Sequence, residues 1–314
     1  MEAKGHSFKL VARDKECTLE LLDHYGFKYV KRKGYSSRYL KALGAFTISL
    51  SILSVARAFK PDIVVGGVGN VYIPFTGRML GVPSLIFDDT EHNSSALAII
   101  RIFSSVICTP NSYTKELGKK HVRYNGFHEL AYLSPKYFTP DKSILRRAGI
   151  PSDENFILVR FVSWDAIHDK GHSGVKDKIG LVMALSRIAR VVISSEGSLP
   201  PELEPFRVNV KPYELHDLLA FSRLFVGEGA TMASEAAVLG VPSVYINTLK
   251  LGYLEELEKM GLVISGVSDE EVVLIAKKIV RRKKFSGKNA VLFKGMADVP
   301  LVMEEVVGNA AKKK

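Results

Sequence analysis

The chain has few of the residues that fix a fold by covalent or metal cross-links. Its 314 residues include two cysteines, Cys17 and Cys108. Two thiols are too few for a disulfide framework or a four-thiolate zinc site, and this usage is typical of a reducing compartment. The N-terminus also lacks the basic region, apolar stretch and cleavage site of a secretory signal peptide. These absences predict a cytoplasmic protein.

Hydrophobic runs long enough to span a membrane are missing as well. The charge-free stretch Ala42–Ala56 has 15 residues, whereas crossing about 30 Å of hydrocarbon takes about 20. It lies in a helix predicted over Tyr39–Phe59, which either packs on a sheet or lies in a membrane interface. The interfacial alternative is favoured by nearby basic residues: Arg32, Lys33, Arg38 and Lys41. Peripheral contact with an anionic membrane is the most that this stretch predicts.

Positive charge is concentrated in the first half of the chain. The whole chain has 44 Lys and Arg against 33 Asp and Glu, and up to residue 150 the counts are 22 and 12. This asymmetry indicates an anionic partner, such as phospholipid head groups or a phosphorylated substrate. Nucleic acid is not expected, because the sequence has no aromatic RNP motif and no paired cysteine or histidine ligands. Composition alone leaves the oligomeric state open.

Short runs rich in Val, Ile and Phe alternate with helical patterns along both halves. This order predicts parallel sheets built from strand-helix-strand units, and therefore an α/β protein. Two of the predicted elements are a helix at Ser112–Lys119 and a strand at Arg207–Val210.

The chain divides into two predicted domains. Residues 124–155 contain three prolines and indicate a connector with one short helix around Ser143–Ala148. We therefore predict Rossmann-like domains at 1–150 and 151–297, with the C-terminal segment 298–314 packing back on the first. Two such domains would place a ligand crevice at the carboxyl ends of their strands.

A glycine turn follows the strand predicted at Leu224–Val226. Gly227 and Gly229 precede a helix that we expect to begin at Ala230. The unpaired N–H groups and the dipole of a helix N-terminus favour an anion such as a diphosphate, and glycine permits its close approach. Glu235 lies on the same face one turn further along, where its carboxylate can accept hydrogen bonds from ribose hydroxyls. Glycine turns between a strand and a helix are common, so the alternative for this segment is an ordinary tight connection that binds no ligand.

The longer segment Tyr213–Asn247 resembles the nucleotide-sugar motif of GT-B glycosyltransferases and non-hydrolysing UDP-N-acetylglucosamine epimerases. The shared features run in the same order: Ser222 at a helix end, the strand Leu224–Val226, the turn Gly227–Gly229, the helix with Glu235, and Gly240-Val241-Pro242. The resemblance implies that Gly229 to Thr231 contact the diphosphate and Glu235 the ribose. Glu228 departs from the motif, because a carboxylate beside a diphosphate costs electrostatic energy unless it points away or meets a cation.

Three further motifs extend the similarity over nearly the whole chain. They are Phe87–His92, Tyr124–Gly126 and Arg160–Asp165 with His168-Asp169. With them, the chain is similar to an uncharacterised, largely archaeal family of unknown function in the same superfamily. Relatives have a strand-helix unit ahead of the position of Met1, so the resemblance implies that this unit is missing and that neighbouring strands are left unpaired.

An acidic cluster follows the strand predicted at Ser84–Phe87, at the edge where α/β sheets bind ligands. It comprises Asp88, Asp89, Glu91 and His92. The alternatives are a general base or hydroxyl-binding site, a helix cap formed by Asp88 or Asp89, or a metal site. In the resembled epimerases a glutamate of a corresponding loop takes part in proton transfer, which favours Glu91. The catalytic candidates are Asp89, Glu91, His92 and His168.

A second polar cluster opens the second half. Arg160 can contact a phosphate, and Trp164 either stacks on a base or sugar or simply packs. His168 is an acid-base candidate, and Lys170 disfavours a cation. No metal or cofactor is expected. The predicted nucleotide-sugar contacts are Arg160, Ser163, Trp164, Asp165, Gly227, Gly229, Ala230, Thr231, Ser234 and Glu235.

These residues leave three functions open. The leading one is transfer of a sugar from a nucleotide diphosphate, UDP being one option, to an anionic or lipid-linked acceptor. The second is C2 epimerisation of a UDP-N-acetylhexosamine, which uses the same donor site and needs no acceptor. The third is non-catalytic binding of a sugar nucleotide or a lipid phosphate.

Overall fold

The computed structural model describes residues 1–15, 17–32, 38–67, 70–92, 94–161, 174–195, 197–282 and 293–312, with the backbone alone at 38–46, 94 and 95. These residues form two compact units. The first unit comprises Met1–Gly126 with Ala297–Lys314, and the second unit is Phe127–Met296. None of the described helices is long and apolar enough to cross a bilayer.

Strands and helices alternate in both units, as the sequence predicted. The strands are β1 Leu10–Arg13, β2 Tyr29–Arg32, β3 Val64–Gly66, β4 Ser84–Phe87, β5 Val106–Pro110, β6 His121–Tyr124, β7 Phe156–Phe161, β8 Arg190–Ser195, β9 Leu224–Gly227, β10 Ser243–Tyr245 and β11 Val263–Ser265. The helices are α1 Thr18–His24, α2 Arg38–Phe59, α3 Tyr72–Leu80, α4 Ser94–Phe103, α5 Leu130–Leu133, α6 Ser143–Arg147, α7 Lys178–Ser186, α8 Leu215–Phe221, α9 Ala230–Val238, α10 Gly252–Lys259, α11 Asp269–Arg281 and α12 Val299–Ala311.

The strands of the first unit lie in two separate sheets. β1 pairs with β2, while β3, β4, β5 and β6 form a second sheet in that order, and all of these pairings are parallel.

Helix α2 packs within the first unit over the part whose side chains are described, residues 47–59. Ile48, Ile52, Leu53 and Ala56 are buried on one face, at the spacing that an amphipathic helix requires. Ser51 and Ser54 are exposed on the other face. Packing is therefore the interpretation that this part of the helix supports. The basic residues Lys33, Arg38 and Lys41 lie outside the described side chains.

The helix predicted at Ser112–Lys119 is wrong, and Arg123 supplies the reason. This segment is a series of turns. The Arg123 guanidinium, on the edge strand β6, donates to the carbonyl oxygens of Asn111, Tyr113 and Lys115. Carbonyls that accept from a side chain in this way follow a turn path rather than a regular helix. The strand β6 itself was not predicted.

The second unit has one five-stranded parallel sheet, in the order β11-β10-β9-β7-β8. The strand predicted at Arg207–Val210 is wrong, because only an isolated bridge joins Arg207 to Ile193. Helices α5 and α6 belong to this unit, since they pack on α9 and α8 respectively. The first unit therefore ends at Gly126, inside the predicted connector 124–155 and ahead of the predicted domain boundary at residue 150.

Gly227 ends the central strand β9 and is required there by packing. A β-carbon at this position would lie 2.5 Å from the Phe225 ring and 3.1 Å from the Arg160 carbonyl oxygen. We expect Gly227→Ala to lower the free energy of unfolding by about 1–3 kcal/mol, because the added methyl overpacks the sheet. Urea unfolding followed by circular dichroism measures this change.

The matched control for that substitution is Gly197→Ala. A β-carbon at Gly197 would meet nothing within 4 Å, so the substitution should change the free energy of unfolding by no more than about 0.5 kcal/mol. Equal unfolding midpoints for the two variants would contradict the packing role of Gly227.

Candidate functional site

The predicted phosphate-binding turn lies between β9 and α9 at the carboxyl edge of the second sheet. Gly229 is the N-cap of α9, with φ −89° and ψ 123°, and it has no side chain to cap the helix. Ala233 N–H donates to the Gly229 carbonyl and closes the first helical turn. Among the described residues, no group accepts a hydrogen bond from the amides of Ala230, Thr231 or Met232. Gly229 and Ala230 are half-buried and Thr231 is exposed.

Three N–H groups in the first turn of α9 are thus without an acceptor in the segments that the structure describes. A helix N-terminus with unpaired amides carries a partial positive charge and binds phosphate groups. Gly229, Ala230 and Thr231 therefore remain candidates for contact with a diphosphate. Gly227, which was predicted with them, is buried and in contact with protein atoms. Glycine is required at this position because a side chain would clash with the sheet. The sequence analysis instead explained Gly227 by the close approach of a ligand, and that explanation is corrected here.

Glu235 is held in place by two neighbouring side chains. Its carboxylate oxygen Oε1 lies 2.9 Å from the Tyr132 hydroxyl and 2.9 Å from His216 Nε2. Tyr132 belongs to α5 and His216 to α8, so two elements fix one carboxylate. Glu235 is 7% exposed, and no described residue donates to its second oxygen Oε2. Within the described residues, this oxygen therefore keeps its capacity to accept a hydrogen bond from a ligand.

Ser234 lies on the buried side of α9 and does not reach the surface where a ligand would bind. It is fully buried. Its hydroxyl contacts a carboxylate oxygen of Glu129 and lies 2.8 Å from the Thr231 carbonyl oxygen. A ligand contact by Ser234 was predicted from sequence, and burial excludes it in this structure. The Ser234–Glu129 contact instead joins α9 to the chain just ahead of α5.

Glu228, the departure from the family motif, turns its carboxylate into the protein. It is 1% exposed, and its Oε1 accepts a hydrogen bond of 3.0 Å from the Val175 amide. Its backbone carbonyl accepts from the Asn247 side chain at 3.2 Å. A carboxylate held in this way lies inside the protein and not on the exposed side of the turn. The sequence analysis noted that a carboxylate beside a diphosphate costs electrostatic energy. The Glu228 carboxylate points away from the turn, so this cost is reduced.

Arg160 lies at the same level of the sheet as Gly227. The parallel pairings place it opposite Gly227 on one side and Ser194 on the other. Its guanidinium donates to the Ser194 hydroxyl at 2.7 Å. Arg160 is thus a basic group at the carboxyl edge of β7. The residues predicted to follow it, Ser163, Trp164, Asp165 and His168, lie outside the described part of the chain.

In the first unit, Asp88 follows β4 and is almost fully buried. Its carboxylate accepts from the Thr90 amide at 2.9 Å and from the Tyr113 hydroxyl at 3.3 Å. Asp89 accepts from the Thr90 hydroxyl at 2.8 Å. Both carboxylates therefore stabilise the turn after β4, while α4 begins only at Ser94. Asp88 and Asp89 therefore cap the turn after β4, and not the helix α4 as the capping alternative had predicted.

Glu91 is also buried, at 4% exposure. Its Oε1 accepts from the Thr114 amide at 3.0 Å, while its Oε2 is buried and has no partner among the described residues. Lys115 donates to the Glu91 backbone carbonyl at 2.7 Å. The structure thus brings Asp88, Asp89 and Glu91 into one loop, with His92 exposed beside them. No described group of three His, Cys, Asp or Glu residues is arranged to hold a metal ion.

Sequence reasoning missed three residues of the site in the second unit. They are Tyr132, His216 and Glu129, which contact Glu235 or Ser234 from positions up to 105 residues away in the chain. His216 lies inside the motif segment Tyr213–Asn247, on the helix that precedes β9. Its place in that motif was the available signal. Tyr132 and Glu129 lie in the proline-containing connector, where no periodic pattern pointed to them.

Solved structures with a similar fold include an epimerase and a glycosyltransferase. UDP-N-acetylglucosamine 2-epimerase from Rickettsia bellii has a TM-score of 0.67 at 14% identity, covering 99% of this chain and 92% of that one. The glycosyltransferase SsfS6 from Streptomyces sp. SF2575, complexed with thymidine diphosphate, has a TM-score of 0.59 at 13% identity, covering 97% and 93%. The fold is therefore GT-B-like, with two Rossmann-like α/β domains, as the sequence predicted.

Sequence comparison then gives the family. The chain belongs to DUF354, a family of proteins of unknown function, whose model matches residues 1–312. An uncharacterised protein from Methanocaldococcus jannaschii is 23% identical over 256 residues, which cover 77% of this chain and 74% of that protein. The predicted resemblance to an uncharacterised family is therefore confirmed, and the GT-B-like part of it is confirmed for the fold.

Asp88 should make the stability of the protein depend on pH. Burial raises the pKa of its carboxyl from 3.8 to about 6, so the folded protein binds this proton more tightly than the unfolded chain does. The resulting stabilisation is fully present below about pH 4 and is lost as the pH rises through about 6. Two pKa units correspond to roughly 3 kcal/mol. Asp88→Asn, which is neutral throughout, removes this dependence.

Urea unfolding of both proteins at pH 4 and pH 7 measures the effect. The difference in the free energy of unfolding, variant minus wild type, should increase by roughly 3 kcal/mol between the two pH values. A difference that does not change with pH would contradict a raised pKa for Asp88.

Proposed function

We propose that the second unit binds the diphosphate of a nucleotide sugar at the N-terminus of α9, and that the protein transfers the sugar to an acceptor. The observation that carries this proposal is the accessible first turn of α9, whose three amides have no acceptor among the described residues. Such a turn satisfies a diphosphate directly, because each N–H is a donor and the dipole favours negative charge.

Glu235 supplies the second recognition element of the proposal. Tyr132 and His216 occupy its Oε1 and fix its orientation, so Oε2 is presented for a ribose hydroxyl. A charged acceptor forms a stronger hydrogen bond than a neutral one. The diphosphate and ribose contacts then lie on the same helix, one at its start and the other one turn further along.

Arg160 provides a positive charge for the departing diphosphate. Breaking the sugar-phosphate bond leaves negative charge on the nucleotide, and donors already in place stabilise that charge. In our proposal the α9 amides and Arg160 do this without a metal ion. Ser163, Trp164 and Asp165, which lie outside the described residues, complete the contacts predicted from sequence, and His168 stays an acid-base candidate.

The acceptor side of the reaction requires a group that removes a proton from an acceptor hydroxyl. We propose that one of the candidates predicted from sequence has this role: Asp89, Glu91, His92 or His168. Asp89 and His92 are more exposed than Glu91, which favours them for direct contact with a substrate. Glu91 in turn has a buried oxygen, Oε2, without a hydrogen-bond partner among the described residues.

The related folds support the ligand class. The Streptomyces glycosyltransferase is complexed with thymidine diphosphate, and the enzyme from Rickettsia bellii is an epimerase of UDP-N-acetylglucosamine. Both names involve a nucleoside diphosphate. Because the solved structures of similar fold include an epimerase as well as a glycosyltransferase, C2 epimerisation is the second candidate function.

Calorimetric titration with UDP and with thymidine diphosphate tests the binding site. Wild-type protein should bind at least one of them, and Glu235→Gln should weaken binding by about 10- to 100-fold, because an amide nitrogen replaces an accepting oxygen. Glutamine keeps an oxygen for Tyr132 and His216. The exposed Glu255→Gln is the matched control and should bind as the wild type does. Failure of the wild type to bind either nucleotide, or unchanged binding by Glu235→Gln, would overturn the site assignment.

Turnover of a nucleotide sugar in D₂O separates the candidate reactions. Epimerisation removes a proton from C2, so the recovered sugar nucleotide should contain deuterium. Sugar transfer should leave the donor unlabelled and release nucleoside diphosphate only when an acceptor alcohol is supplied. We expect the second result. Deuterium in the sugar would support the epimerase instead, and binding without either outcome would support a non-catalytic role.

A further inference from the structure

Three consecutive helices of the first unit end at the same edge of the sheet formed by β3, β4, β5 and β6. Helix α2 leads into β3, α3 into β4 and α4 into β5. These three strands are parallel neighbours, so their amino ends share one edge. The C-terminal ends of the three helices therefore lie along that edge, which is opposite to the edge where Asp88 follows β4.

Each of these helix ends exposes a large apolar side chain next to an arginine. Helix α2 ends with Arg57 and Phe59, α3 with Arg78 and Met79, and α4 with Arg101, Ile102 and Phe103. Ile102 is 65% exposed, Met79 51%, Phe103 47% and Phe59 36%. We call this set of residues the apolar-basic edge.

Lysines add to the positive charge of the apolar-basic edge. Lys60 follows α2, and Lys119 and Lys120 precede β6. Lys120 donates to the Ile102 carbonyl at 2.9 Å, which places its charge against the end of α4. In the described segments 57–62, 78–83, 101–105 and 118–120 there are six basic residues and one acidic residue, Asp62.

Helix capping explains only part of this pattern. Arginine near a helix C-terminus stabilises the helix dipole, and a single exposed apolar side chain is ordinary. Neither explains why the apolar side chain recurs at three adjacent helix ends. The dipole also accounts for Lys60, which follows α2 directly, and for Lys120, which donates to the Ile102 carbonyl of α4, but not for Lys119. Together these features describe a surface that combines apolar contact with attraction to negative charge.

We propose that the apolar-basic edge docks on an anionic lipid bilayer. Large apolar side chains enter the boundary between head groups and acyl chains, while lysine and arginine interact with anionic lipid. Neighbouring helices pack about 8–10 Å apart, so the apolar side chains are separate points with positive charge between them. This arrangement suits a fluid surface better than it suits a protein groove.

The net charge of the surface argues against a second copy of the chain as its occupant. A twofold dimer through this edge would place the same surface patch on both sides. Six basic residues and one acidic residue on each side would then face their own kind, and like charges repel. Phospholipid head groups of negative charge have the complementary sign.

Co-sedimentation with vesicles tests the proposal. The full chain should bind vesicles containing phosphatidylglycerol, should bind less as salt is raised, and should not bind vesicles of phosphatidylcholine alone. The double variant Ile102→Ser with Phe103→Ser should lower the partition coefficient at least about tenfold, because two apolar side chains no longer leave water. Lys119→Gln with Lys120→Gln should lower it by about tenfold or more.

Leu274→Ser is the matched control. Leu274 is 56% exposed on α11 of the second unit, so its replacement removes a comparable apolar side chain outside the proposed surface. It should bind vesicles as the wild type does. Circular dichroism establishes that each variant is folded, and the lysine variant keeps the test decisive if the double serine variant is not.

Three results would overturn the proposal. They are equal binding to charged and neutral vesicles, unchanged binding by both edge variants, and wild-type self-association that the double serine variant abolishes. The last result would show that a second copy occupies the edge. Since the readout is vesicle binding, it does not depend on the nucleotide site of the second unit.

Discussion

In the described part of the chain, the amides in the first turn of α9 have no acceptor, because Gly229 has no side chain and the neighbouring carboxylate is turned away. The Val175 amide holds the Glu228 side chain inside the protein. Had this carboxylate capped α9 instead, its negative charge would occupy the position that a phosphate needs. The openness of one helix end thus depends on a hydrogen bond made by a different segment. Exposed amides are costly unless water or a ligand accepts from them.

The surrounding contacts serve to fix this helix. Ser234 and Glu129 join its buried side to the chain before α5, and Glu235 is held by Tyr132 and His216. A recognition group works best when its orientation is set before the ligand arrives, because less ordering is then needed on binding. The short helices α5 and α8 are therefore part of the site although neither contains a phosphate motif.

Sequence predicted the elements whose hydrophobic pattern is local. Ser84–Phe87, Ser94–Phe103 and Asp269–Arg281 were predicted with the bounds that the structure has. The turns at residues 112–119 were predicted as a helix, because nothing in that segment reveals that Arg123 will bind its carbonyls. The same limit applies to the candidate site. Gly229 to Glu235 follow from one local motif, whereas Tyr132 reaches Glu235 across 103 residues, and only the folded chain brings them together.

The first unit is discontinuous, which has a consequence for its biosynthesis. The chain leaves it at Gly126 and returns at Ala297, and α12 then contributes the buried residues Val299 and Ala310. Domains generally fold as units while the ribosome synthesises the chain from its N-terminus. All residues of the contiguous second unit are therefore synthesised before α12, the last helix of the first unit. The unit that is translated first is thus the one that matures last.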